Sequence, residues 1–129
     1  MGDDALKKVA TLLKTHVRAA DRIYRYGGEE LLVVLPHTNT IQAQVVAKKL
    51  VSITAKENIP HEKSRYGCLT ISCGTACSLK NDQVLDRWES VVEQADLNLY
   101  QSKQEGRNRA VADQQDTASS RLSPVAATR

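Results

Sequence analysis

Three observations in this sequence predict an α+β fold with a mainly antiparallel central sheet flanked by helices. Apolar residues recur at helical period in three separate segments. Two short apolar runs bracket a Gly-Gly pair, as the arms of a hairpin do. The resulting order of helix, strand, strand, helix, strand, helix is not the strict alternation that a doubly wound parallel sheet requires.

Residues 4–18 carry Leu6, Val9, Leu13 and Val17 at three- and four-residue steps, one apolar stripe on an amphipathic helix that Asp3 or Asp4 can cap. Two strands follow, Arg22 to Tyr26 and Leu31 to Leu35, joined by Gly27-Gly28-Glu29-Glu30. The second, Leu-Leu-Val-Val-Leu, is apolar on both faces and ends at Pro36, which predicts a strand inside a sheet covered by helices. Thr38 to Thr40 offer a cap for a second helix, where Ile41, Val45, Val46, Leu50 and Ile53 form the apolar stripe as far as about Glu57. A polar loop with Pro60 runs from Asn58 to Gly67. The β-branched Thr70, Ile71 and Thr75 predict a strand from Cys68 to Cys77, with Gly74 allowing close backbone approach.

Val84, Trp88, Val91, Val92, Ala95 and Leu99 mark a third helix that Gly106 should stop, before a short strand around Arg109 to Ala112. Elements in this order fit a ferredoxin-like arrangement. Beyond Asp113 the sequence is too poor in apolar bulk to fold by itself, so we expect a domain over residues 1–112 and a disordered tail over 113–129.

The 129 residues are enough for one core, and 41% hydrophobic with 26% charged residues is a globular balance. No apolar run approaches the ~20 residues that cross a bilayer, so no membrane contact is expected. Met1-Gly2-Asp3-Asp4 lacks the basic and apolar regions of a secretory signal, which points to the cytoplasm. A formal charge of +3 suits an anionic ligand such as a nucleotide. The basic residues are scattered, however, with few aromatics between them to stack on bases, which argues against nucleic acid. Cys68, Cys73 and Cys77 match no common zinc spacing and read as reduced, partly buried thiols.

The chemistry concentrates in Arg25-Tyr26-Gly27-Gly28-Glu29-Glu30-Leu31. A Gly-Gly pair turns sharply and lets a bulky anion approach, and two carboxylates at that turn can hold a divalent metal and accept a proton. The same residues also make an ordinary solvated hairpin. Lys103 and Arg107 near a helix C-terminus can complement the macrodipole, and Arg18 with Asp21 can form an i,i+3 ion pair.

This motif resembles the GGDEF signature of diguanylate cyclases in its GGEEF form, and four further segments agree in order and spacing. Gly2-Asp3-Asp4-Ala5-Leu6 is similar to the family's Gly-Asp at the head of a helix. Arg18-Ala19-Ala20-Asp21 matches its RxxD motif, and Leu69-Thr70-Ile71-Ser72-Cys73-Gly74 its late core strand. Residues 95–108, Ala-Asp-Leu-Asn-Leu-Tyr-Gln-Ser-Lys-Gln-Glu-Gly-Arg-Asn, resemble its closing helix and GRN turn.

The resemblance implies a nucleotide-cyclase palm and condensation of two GTP molecules into cyclic di-GMP. In that reading Glu29 binds Mg²⁺ or Mn²⁺, and Glu30 is a second ligand or the base for a GTP 3′-hydroxyl. Gly27 and Gly28 line the nucleotide's approach, Asp3 reads the guanine edge, and Lys103 and Arg107 contact the terminal phosphates. Arg18 and Asp21 form a product-binding inhibitory site. One GTP per domain implies a homodimer for catalysis.

The sequence departs from the pattern in three places. The family's preceding strand, ending in a metal-binding Asp, and the helix carrying a guanine-recognising Asn are absent from this chain. Leu31 replaces the usual Phe, and Val51 takes the place where an arginine often completes the inhibitory site. A catalytically inert cyclic di-GMP or GTP receptor is the alternative reading, and a dimerisation module with no nucleotide ligand is a third.

Overall fold

A computed structural model describes residues 3–61, 65–77, 79, 80, 83, 84, 88–112 and 122–128, with backbone alone at Asp3, 79, 80, 83, 84 and 122–128. In chain order the elements are α1 (Asp3–Lys14), β1 (Arg22–Arg25), β2 (Glu30–Pro36), α2 (Thr40–Lys56), β3 (Ser72–Thr75), β4 (Leu79–Lys80), β5 (Gln83–Val84), α3 (Trp88–Gln104), β6 (Ala110–Ala112) and β7 (Leu122–Thr128). Five strands form one sheet in the order β1-β2-β7-β3-β6, and β4 pairs with β5 as a separate ribbon. Within the main sheet only the β3–β6 pair is parallel. The expected α+β class with a mainly antiparallel sheet is what forms.

Strand alternation sorts the side chains into two layers. Leu31, Val33 and Leu35 of β2 and Cys73 of β3 join Leu6, Val9 and Leu13 of α1 and Ala43, Ala47 and Leu50 of α2 in one core. A second, smaller cluster of Ala76, Val91, Ala95 and Leu99 places α3 on the other face. Gly74 shows how closely: a Cβ there would collide with the backbone at Leu99 N and Ala95 O. The expected close approach at this glycine is therefore backbone against backbone, with α3 lying flush on β3.

α2 is capped at its start. Asn39 accepts from Gln42 N while the Gln42 side chain accepts from Asn39 N, a reciprocal capping box. Its buried face differs from the expected stripe: Ala43, Ala47, Leu50, Val51 and Thr54 point inward, while Ile41 and Val45 are exposed. The helix turns its small residues to the sheet, which shortens the helix-to-sheet distance and sends the larger β-branched pair outward.

Four further expectations are corrected. The first helix ends at Lys14, and Val17 packs against the core from the following turn. The third strand is confined to Ser72–Thr75, with Cys68 making only an isolated bridge to Pro60. Val84 lies in β5 ahead of the third helix, which starts at Trp88.

The last correction concerns the supposed disordered tail, of which residues 113–121 and 129 lie outside the described residues. Leu122–Thr128 is β7, paired antiparallel with β2 over seven residues and with β3 over four. Composition misjudged it because a strand between two others is held by backbone hydrogen bonds, which need no side-chain bulk.

The cysteines are free and buried, as expected. Complete burial pushes the Cys73 thiol up to about 12. The folded state favours the neutral thiol, so this contribution is complete below the unfolded thiol range and is lost as pH rises through that range toward 12. At pH 8 native Cys73 should therefore resist iodoacetamide and react only after unfolding, as peptide mass spectrometry would report. Gly74→Ala should cost about 3 kcal/mol or more in urea unfolding because backbone must move, whereas Gly28→Ala, with open space around its Cβ, should stay within about 0.5 kcal/mol.

Candidate functional site

The Gly-Gly turn is set by backbone geometry. Gly27 has φ +128°, a region that L side chains avoid, and Tyr26 N donates to Glu30 O at 2.8 Å to close the turn. Arg25 braces it by donating from Nη2 to Gly28 O at 3.0 Å. Among the described residues no atom lies within 4 Å of a Cβ built at either glycine, which leaves both open to an approaching group. Glu29 sits exposed on the turn, and Glu30, half-buried, begins β2.

Alternation along β2 decides where Glu30 points. Leu31, Val33 and Leu35 face α1 and α2, so Glu30 faces the α3 layer. Its carboxyl is raised above the ordinary glutamate range, first by burial and second by the negative charge of Asp96, with the Lys103 ammonium opposing. Asp96 is raised too, first by burial and then by Glu93, again opposed by Lys103. Glu30, Asp96 and Lys103 thus share one electrostatic environment.

Lys103 and Arg107 flank the end of α3. Gly106, Arg107 and Asn108 all have positive φ, at 120°, 65° and 49°, a costly run for two non-glycine residues. The turn is held by Arg107 N donating to Ser102 O at 3.0 Å and by Tyr66 Oη donating to Gly106 O at 2.6 Å. Asn108 N donates to Ser72 Oγ at 3.2 Å. Arg107 is exposed beyond that turn. Asp3 opens α1, and its side chain lies outside the described residues, as do Met1 and Gly2.

Arg18 and Asp21 are joined as an ion pair. Arg18 Nη2 donates to Asp21 Oδ1 at 2.8 Å and to Pro36 O at 2.8 Å, while Arg18 N donates to Asp21 Oδ2 at 2.8 Å. The Asp21 side chain is only 2% exposed against 57% for Arg18, so the acid is spent on the arginine and the guanidinium alone faces outward. Beside it lies a cavity of about 360 Å³ whose lining includes three cations, Lys14, Arg18 and Arg22. Val51, at the place where an arginine often completes such a site, is buried in the core. Lys49, exposed on the same helix, donates from Nζ to His16 O at 3.3 Å.

Glu29 and Glu30 offer the oxygen donors that a hard divalent cation takes. Asp96 Oδ1 is buried without a hydrogen-bond partner, an orphaned oxygen in the same field as Glu30. Among the described residues no group of three or more His, Cys, Asp or Glu is assembled for a metal. Two carboxylates completed by phosphate oxygens and water is the arrangement that Mg²⁺ commonly uses. Asp96 lies seven residues before Lys103, two turns back on the same side of α3.

Comparison with known proteins finds a match to a family model described as diguanylate cyclase, GGDEF domain, over residues 1–109. The chain is 40% identical over 108 residues to diguanylate cyclase A of Treponema denticola, covering 84% of this chain and 28% of that protein. It is 32% identical to the response regulator PleD of Caulobacter vibrioides (86% of this chain, 24% of that one) and 27% identical to diguanylate cyclase DgcZ of Escherichia coli (86% and 36%). The chain therefore spans 24–36% of the length of these relatives. Among the described residues no helix is long and apolar enough to cross a membrane.

A carboxyl held above its ordinary range binds its proton more tightly in the folded chain, so it favours folding below the unfolded carboxylate range and counts against folding as pH rises through the folded range. Glu30→Gln should accordingly raise the metal-free melting temperature at pH 7 by roughly 1–3 °C, with no gain at pH 3, as differential scanning calorimetry would record.

Proposed function

The chain belongs to the diguanylate cyclase GGDEF domain family, and on that premise we propose that it is the catalytic module condensing two GTP into one cyclic di-GMP and two pyrophosphates. The single observation that carries this reading is Glu30, directed toward the α3 layer and sharing its electrostatic field with Lys103, beside a Gly-Gly turn open to a bulky anion. The five-stranded sheet between α1/α2 and α3 supports the finer assignment to a nucleotide-cyclase palm.

In this mechanism the Lys103 ammonium and the Arg107 guanidinium hold the terminal phosphates of GTP, and Gly27 and Gly28 leave room for the triphosphate. The side chain of Asp3 accepts from the two adjacent N–H donors of guanine, which adenine lacks. Glu30, or Glu29 beside it, takes the proton from the 3′-hydroxyl of the other GTP. The 3′-oxygen bonds to the α-phosphorus as the bond to the β-phosphate oxygen breaks, and pyrophosphate leaves. A divalent cation, Mg²⁺ or Mn²⁺, held by Glu29 and Glu30, supplies charge neutralisation on the phosphates when bound. One nucleotide per chain requires two chains facing each other for the two bonds, and holding them in attack geometry is the main task of the dimer. The GTP pool it draws on is cytoplasmic.

The cavity lined by Lys14, Arg18 and Arg22 supports product inhibition, with the exposed Arg18 guanidinium gripping a phosphate of cyclic di-GMP. Asp21 pairs with guanine only when its ion pair with Arg18 opens. The same cations favour the second reading, an inert module that binds cyclic di-GMP.

Incubation of the chain with GTP and Mg²⁺ should release pyrophosphate at a rate rising more steeply than protein concentration, should not use ATP, and should fall by about 100-fold or more in Glu30→Gln. Stabilisation by cyclic di-GMP without pyrophosphate would support the binding module instead. A melting temperature unmoved by either nucleotide would sink both readings.

A further inference from the structure

We infer that Tyr66 is a positioning residue for Arg107, its hydroxyl fixing the peptide that aims the guanidinium. The inference rests on the diguanylate cyclase reading, in which Arg107 contacts the terminal phosphates of GTP.

α3 ends in a Schellman motif. Gly106 N donates to Lys103 O at 3.3 Å and Arg107 N donates to Ser102 O at 3.0 Å, the paired closure that lets a glycine reverse the chain. The next two residues keep the left-handed backbone without being glycine, Arg107 at φ 65° and Asn108 at φ 49°. Such a conformation persists only where neighbouring groups hold it. Here both peptides that flank the Arg107 Cα are held at each end. The first gives the Arg107 N–H to Ser102 O and accepts the Tyr66 hydroxyl on the Gly106 oxygen at 2.6 Å. The second gives the Asn108 N–H to Ser72 Oγ at 3.2 Å and accepts from Arg109 Nε on the Arg107 oxygen at 3.0 Å. With both planes fixed, the direction of the Arg107 Cα–Cβ bond is fixed too.

Ser102 and Ser72 belong to α3 and β3, and Arg109 adjoins β6. Tyr66 belongs to no helix or strand and reaches Gly106 across 40 residues of chain, from the stretch that joins α2 to β3. The base of that stretch is pinned, with Leu69 N donating to Ile59 O at 2.7 Å and Pro60 bridged to Cys68. Arg65 completes the clasp. Its Nη2 donates to Tyr66 Oη at 2.9 Å, and its guanidinium stands 4.9 Å from the centroid of the Tyr66 ring. A cation donating to a phenol oxygen polarises the phenol, so the Tyr66 hydroxyl donates more strongly to Gly106 O. Removing that hydroxyl leaves the helix end closed by its own backbone and frees one of the two peptides beside Arg107. The loss then falls on where the guanidinium points.

Isothermal titration calorimetry of the full chain with Mg²⁺ tests this, using the α,β-methylene analogue of GTP, which cannot release pyrophosphate, and GMP, which lacks the terminal phosphates. Tyr66→Phe should weaken the analogue about fivefold and leave GMP within about twofold. Added to Arg107→Ala it should change nothing further, because the two residues act through one contact. A merely structural Tyr66 would weaken both nucleotides alike or add its full effect to that of Arg107→Ala, and either result overturns the inference. If Arg107→Ala weakens the analogue while Tyr66→Phe does not, Arg107 is aimed without Tyr66 and the cyclase reading stands. If Arg107→Ala binds the analogue as the parent does, or the parent does not bind it, the inference and the phosphate contacts of that reading fall together.

Discussion

At Gly74 the backbone of β3 lies against the backbone of α3 with no side chain between them, and the rest of the site depends on that contact. A helix so close to a strand has little freedom to roll, because Asn98 and Ser102 are tied to Thr75 and Arg109 on one flank. The opposite flank is thereby fixed as well, and it carries Asp96 and Lys103. A single hydrogen atom in place of a methyl group at residue 74 thus positions an ammonium and a carboxylate two helical turns apart.

The electrostatics follow from this placement. Two half-buried carboxylates on facing elements destabilise each other, and one lysine offsets only part of the cost. Such an arrangement costs stability, and clustered perturbed groups of this kind are more often a functional site than a stabilising one. The Arg18–Asp21 pair shows the contrasting pattern. There the acid is buried and fully engaged by its own arginine, and the outward-facing charge is entirely positive.

The sheet displays a separate economy. β2 is apolar on both faces and needs a strand on each side, and β1 and β7 supply them. β7 includes Pro124, which has no N–H to give a ladder, and it pairs there opposite Val34. Its inclusion shows how strongly two open strand edges select a partner by backbone geometry when side-chain chemistry offers little.

Much of this protein was legible in its amino-acid order. Leu6, Val9 and Leu13 announced a helix by spacing, Gly27-Gly28 announced a turn, Gly74 announced a close approach, and Glu30, Lys103 and Arg107 stood out by a motif that local chemistry makes intelligible. What could not be read locally were choices made by packing. Whether α2 buries Ile41 or Ala43, whether residues 122–128 join the sheet and whether Asp96 shares the field of Glu30 all depend on residues far apart in the chain. Periodicity reports which residues share a face of one element; only the assembled layers determine what that face meets.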